Sequence, residues 1–179
     1  ERFRTHHGAQ VRAHQDEVGH ATGEYVERVR ILDLLIRLWR PSVVAFALNG
    51  VRMGFQRPTP VTDVMGFSDG PLDVPGGLVA VPTPGHTSGH CSFHLPAAGV
   101  VLTGDALVNE NLLTGRPGPR LMPRIFSHDW QQALASLGGL ASLESRVILP
   151  GHGRAMKMPI EEAVAQAKDR LAKAGWWDR

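Results

Sequence analysis

Two periods of apolar residues run along this chain, and the change from one to the other falls near Gly70. Before it, Tyr25, Val29, Leu32, Ile36 and Trp39 recur at spacings of four and three, with Glu27, Arg30, Asp33 and Arg37 between them. That spacing predicts an amphipathic helix over 24–40. Pro41 ends it, and Ser42 is placed to cap a short second helix through Leu48. A helix end, a loop at His7-Gly8 and a strand over 10–13 precede them, and residues 49–70, rich in Gly and Pro, read mainly as loop. After Gly70 the apolar runs shorten to strand length: 71–74, 78–81, 91–95 and 100–103, punctuated by turns at 75–77 and 96–99. A long loop over 105–127 leads to a helix over 128–143 with Ser127 as N-cap. A strand at 147–149 and a helix from Pro159 to Lys173 come next, with Glu161 and Glu162 near its positive end and Gly175 as its stop. Strands followed by αβα predict an α/β, or layered α+β, architecture. Without an obvious linker, 1–179 reads as one domain.

Composition narrows the classes without choosing among them. The 179 residues are 42% hydrophobic and 20% charged, as in an ordinary globular protein. A net charge of only +2, carried by scattered arginines, gives no basic patch, so no nucleic-acid partner is expected. Neither 43–48 nor 31–39 approaches the ~20 apolar residues of a membrane span, and no signal peptide is visible at the start of the sequence. The single cysteine, Cys91, cannot form an internal disulfide, so a cytoplasmic location is expected.

The chemistry gathers where apolar strands end. Residues 78–81 lead into Pro82-Thr83-Pro84-Gly85-His86-Thr87-Ser88-Gly89-His90, 100–104 lead into Asp105, and 147–149 lead into Pro150-Gly151-His152-Gly153. Strand ends in α/β proteins collect on one rim. Two imidazoles and a carboxylate delivered there suit zinc or an iron-type cation, and the two oxygens of Asp105 allow it to bridge two ions. Glycines beside them permit tight turns and close approach. Taken singly, each motif is more often ordinary: a His after a strand is a loop residue, an Asp a cap, and Pro-Gly-His-Gly a tight turn. Their joint occurrence, in order, carries the metal reading.

Thr83-Pro84-Gly85-His86-Thr87-Ser88-Gly89-His90, Thr103-Gly104-Asp105 and Leu149-Pro150-Gly151-His152-Gly153 resemble the later motifs of the metallo-β-lactamase-fold hydrolase superfamily, over residues 1 to about 155. The resemblance implies the C-terminal part of an αββα fold holding two divalent metal ions. Zinc is the expected metal, with iron or manganese as alternatives. It also implies His86 on one ion, His152 on the other, Asp105 bridging, and His90 as a supporting or structural residue. The family's His-x-His-x-Asp-His loop has no counterpart here, because His6-His7 and His14 lack the Asp-His partner. The segment 3–17 resembles the stretch just after that loop in family members, so the chain is expected to be an N-terminally truncated, incomplete domain. Residues 24–60 resemble a helical insertion before the third ligand strand, of the kind that caps an active site or forms a dimer contact, although core packing explains most of an apolar helix face.

Aspartate rather than cysteine at 105 resembles the glyoxalase II-like branch. That implies a metal-dependent hydrolase of an ester, thioester or lactone, attacking a small-molecule substrate through a metal-bound hydroxide. The missing ligands would come from an N-terminal segment, on this gene product or another chain; a homodimer is the other expected assembly. Two alternatives remain open: a non-catalytic remnant serving as an interaction module, and an iron-dependent sulfur dioxygenase of the same fold. Around the site, His128 is a candidate proton donor, and equally a first-turn helix residue. Arg116, Arg120 and Arg124 are candidates to meet an anion, though solvation accounts for them as well. Cys91 reads as a packing residue, and Trp176-Trp177 as a docking tail.

Overall fold

The computed structural model describes residues 6–25, 38–54 and 60–174. Its centre is a six-stranded sheet in the order β10-β9-β6-β5-β4-β3. The strands are β3 (Gly70–Pro71), β4 (Val79–Pro82), β5 (Cys91–Leu95), β6 (Val100–Gly104), β9 (Val147–Pro150) and β10 (Met156–Lys157). β4 and β5, then β5 and β6, pair antiparallel, whereas β6 and β9 run parallel. The C-terminal ends of β4, β6 and β9 therefore share one rim, which is where the three motifs begin. Helices α3 (Trp130–Ala141) and α4 (Ile160–Lys173) pack together and contribute much of the main core. Leu137, Leu140, Ile160, Ala163 and Ala167 from the helices meet Val101 and Ile148 from the sheet.

A second, slighter region precedes this one. β1 (Val11–His14) pairs in parallel with β2 (Val64–Phe67), and a single 3-10 turn over Gln15–Glu17 leads into α1 (Val18–Thr22). Helix α2 (Pro41–Arg52) lays Val43 and Phe46 against Leu113, Ile125 and Phe126, with the two Phe rings 5.1 Å apart. A two-stranded ribbon, β7 (Val108–Glu110) with β8 (Pro117–Arg120), comes after Asp105. Among the described residues, no helix is long and apolar enough to cross a membrane.

Several local expectations are corrected. Pro41 opens α2 at its first position behind Arg40, so Ser42 is not its cap, and the helix runs on to Arg52. The expected loop over 49–70 contains β2, and that over 105–127 contains the β7–β8 ribbon, whose Pro-Gly-Pro-Arg strand hides behind two prolines. The strand expected over 71–74 is reduced to Gly70–Pro71. Helix α3 is capped by Asp129, whose carboxylate accepts the Gln132 N–H at 3.0 Å; Ser127 does not cap it. Most of the helix expected over 24–40 lies outside the described residues, as do Gly175 and Trp176-Trp177.

Candidate metal centre

The rim brings His86, Asp105 and His152 together. His86 Nε2 stands 3.4 Å from Asp105 Oδ2, and His152 Nε2 stands 3.4 Å from Asp105 Oδ1. Each carboxylate oxygen thus faces a different imidazole. Both separations are long for an N–H···O hydrogen bond, and Asp105 Oδ1, although buried, has no hydrogen-bond partner among the described residues. They do match the ligand spacing around a shared ion: two atoms each ~2.0–2.1 Å from a tetrahedral zinc stand about 3.3 Å apart. The donor set fits a pair of divalent cations bridged by Asp105.

Each side chain is delivered by local chemistry that can be traced. The loop carrying His86 closes on itself, with the Thr83 N–H donating to His90 O at 2.9 Å and the Gly85 N–H to Thr87 O at 2.9 Å. It is then fastened to α3 and to the residues that lead into it. His128 N–H donates to His86 O, Asp129 N–H to Gly85 O, and Ser136 Oγ to Pro84 O at 2.7 Å. Asp105 follows a break in the β6–β9 register at Gly104, which sits at φ +51°. Gly151 N–H donates to Gly104 O at 2.8 Å, joining the second and third motifs. A Cβ on Gly151 would stand 2.6 Å from Asp105 Oδ1, so only glycine leaves the carboxylate its position.

His90 lies behind Asp105. Its Nε2 accepts the Asp105 N–H at 3.1 Å, so the ring proton sits on Nδ1, which faces Thr83 O at 3.1 Å and Thr83 Oγ1 at 2.9 Å. Thr83 Oγ1 continues to Ser92 Oγ at 3.0 Å, and Ser92 Oγ donates to Thr103 O. Burial, followed by the nearby His86, holds the His90 pKa below its ordinary value, consistent with this neutral tautomer. The Thr83-Ser92-Thr103 chain escapes a reading of the sequence; alternation of Ser92 with apolar strand neighbours is its only signal there.

Of the other candidates, His128 lies before α3, which begins at Trp130, and supplies its backbone to the His86 loop. Arg120 turns back on its own ribbon, donating to Gly118 O and Pro117 O. Arg116 is exposed, and Arg124 lines a cavity of about 170 Å³ with Ser127, His128, Asp129, Trp130 and Gln131. A larger cavity, about 440 Å³, is lined by Phe67, Leu72, Val74, Leu78 and Phe93 among others, and none of the three rim residues borders it.

The metallo-beta-lactamase superfamily model matches residues 1–152. A probable metallo-hydrolase of Bacillus subtilis, YflN, is 33% identical over 79 residues, 41% of this chain and 30% of YflN. The metallo-beta-lactamase family protein TTHA1429 of Thermus thermophilus superposes with a TM-score of 0.52 at 27% identity, over 92% of this chain and 55% of that one. TTHA1623, solved in a di-iron-bound form, superposes with a TM-score of 0.53 at 24% identity, over 89% of this chain and 65% of its own. The matched region is less than two-thirds of each of these relatives. With three strand-end motifs on one rim of a mixed α/β fold, and a family match reaching from residue 1 to the last of them, the chain belongs to the metallo-beta-lactamase superfamily.

Proposed function

We propose that this chain carries the C-terminal share of a binuclear metallohydrolase site acting on an ester, thioester or lactone. His86 binds one ion, His152 the other, and Asp105 bridges both. The observation that carries this reading is the two-sided Asp105 carboxylate, each oxygen 3.4 Å from a different imidazole. A divalent cation held there supplies Lewis acidity and lowers the pKa of a water toward neutrality. The chain's own residues hold and orient. His90 and Thr83 fix the backbone of Asp105, and the Gly104–Gly151 hydrogen bond sets the spacing between the second and third motifs.

These residues offer two protein ligands to each ion, short of the usual three or four. We propose that the remainder come from a segment outside this sequence, on the same gene product or a partner chain. Aspartate at 105 supports the glyoxalase II-like branch, and a single domain with its helical insertion at about 24–60 is the arrangement this reading assumes. The di-iron form of TTHA1623 keeps iron, beside zinc and manganese, among the ions to be tested.

The test is elemental analysis of the protein as purified, with intact mass from the same sample, followed by assays on thioester and lactone panels. Two metals per chain that Asp105→Asn loses, and hydrolysis that stops on chelation and returns on metal addition, is the expected result. Hydrolysis unaffected by Asp105→Asn, or an absence of bound metal in the complete gene product, overturns the reading.

A further inference from the structure

A second group of metal-ligating side chains lies outside the rim. His14 ends β1, Asp69 lies between β2 and β3, and Cys91 opens β5, and one ligand atom from each falls within 4.8 Å of the others. His14 is only 7% exposed, and its buried Nε2 makes no hydrogen bond among the described residues, although Asp69 Oδ1 stands 3.3 Å away. A nine-tenths buried imidazole with an unsatisfied nitrogen aimed at a carboxylate and a thiol is costly unless something occupies the space between them. Around it the charge is one-sided. Partial burial first, then the carboxylates Asp69, Glu17 and Asp16, push the Cys91 pKa up to about 11. Among the described residues, no lysine or arginine forms an ion pair with these carboxylates. Arg12, on the same strand as His14, turns instead to Asp73 O and Gln10.

We propose that His14, Asp69 and Cys91 form a second metal site, distinct from the Asp105 rim, that takes a single divalent ion of the zinc class. The donor set, one imidazole, one carboxylate and one thiolate, suits a borderline-soft cation. On binding, the Cys91 S–H proton passes to solvent and the sulfur–metal bond replaces it. Thiolate and carboxylate then balance the ion's two charges. His14 binds through Nε2, so its proton moves to Nδ1, where Asp16 Oδ2 waits at 3.5 Å. That is the carboxylate–histidine support metal ligands commonly have. The same Nδ1 otherwise accepts the Asp16 N–H at 3.3 Å. The ion fastens the β1–β2 region to the central sheet next to His90, the neighbour of Cys91 in sequence. This site's role is to staple the two regions, with the Glu17–Gly89 hydrogen bond, 3.0 Å long, as its existing partner.

Cobalt(II) titration of chelator-stripped protein, followed in the near ultraviolet, reads this site alone. Cys91 is the only cysteine in the sequence, and the rim triad contains no thiol, so only the proposed site gives a thiolate-to-cobalt charge-transfer band. The band is expected to reach the intensity of one thiolate-bound cobalt per chain, to persist in Asp105→Asn, to vanish in Cys91→Ser, and to need at least about tenfold more cobalt in His14→Gln. Wild-type protein that develops no such band at saturating cobalt overturns the proposal, whatever the variants do. So does a band whose affinity is unchanged by both His14→Gln and Asp69→Asn.

Discussion

The central sheet with α3 and α4, and the elements before it, β1, β2 and α2, are built on different scales. Among the described residues, the main core joins thirteen buried positions between Val101 and Ala167, whereas the cluster under α2 joins three, Val43, Leu113 and Ile125. Exposure runs the other way. Among the described residues, Trp39 is 73% exposed, and Leu48, Val51 and Met53 on or beside α2 are more than half exposed, while the large apolar side chains exposed on the central sheet are Leu102 and Leu149. All three rim residues lie just beyond strand ends of the well-packed region, His86 in a loop fastened to α3. Positioning chemistry to a few tenths of an ångström needs a scaffold whose own rotamers are locked, and only one of the two regions offers that.

Stability measurements should separate the regions most sharply. Leu137→Ala, in the main core, is expected to cost ~4 kcal/mol in a urea melt, and Ile125→Ala, in the small cluster where neighbours can collapse, ~2 kcal/mol. Equal losses would deny the contrast. At the rim, Asp105→Asn should lower metal affinity by at least about a hundredfold, beyond what loss of a supporting residue costs, with little change in the melt. Competition against a chromophoric chelator measures it.

At the seam, Cys91 is predicted to alkylate slowly in metal-free protein. Its pKa of about 11, against an ordinary 9.0, reduces the thiolate fraction at pH 8 about a hundredfold. The sign for stability is the same. The folded chain retains a proton that the unfolded chain releases, so this contribution is present below pH 9 and is lost as pH rises from 9 toward 11. An alkylation profile with its midpoint near the ordinary thiol value would refute the half-buried, carboxylate-flanked setting. The smallest effect belongs to Gly151→Ala: its methyl meets Asp105 Oδ1, and metal affinity should fall about tenfold with the fold intact.

Much of this arrangement can be read from residues in order. Strand β5 appears in the apolar run 91–95 as predicted, and β4, β6, β9 and α4 within a residue or so, because each is bounded by Gly or Pro turns and carries its own periodicity. Strand β8 and the short α1 cannot be read in the same way. A Pro-Gly-Pro-Arg strand has no alternation, and the five residues of Val18–Thr22 are too few to show a helical period. The cap of α3 falls on Asp129 rather than Ser127 although both are good cap residues, because the choice depends on which carboxylate or hydroxyl the loop turns toward Gln132.

That two histidines and an aspartate follow apolar strands can be read from the order of residues, since a strand and the turn that stops it are local properties of a few side chains. So can the glycines that let those turns close. That β4, β6 and β9 end on the same rim, with Asp105 between two imidazoles, came from the pairing of the strands. The fold also turned His90 to the backbone of Asp105 and gathered His14, Asp69 and Cys91 around one point. Those distances depend on strand order and register, which are settled by how the sheet pairs and packs and leave no mark at any single position.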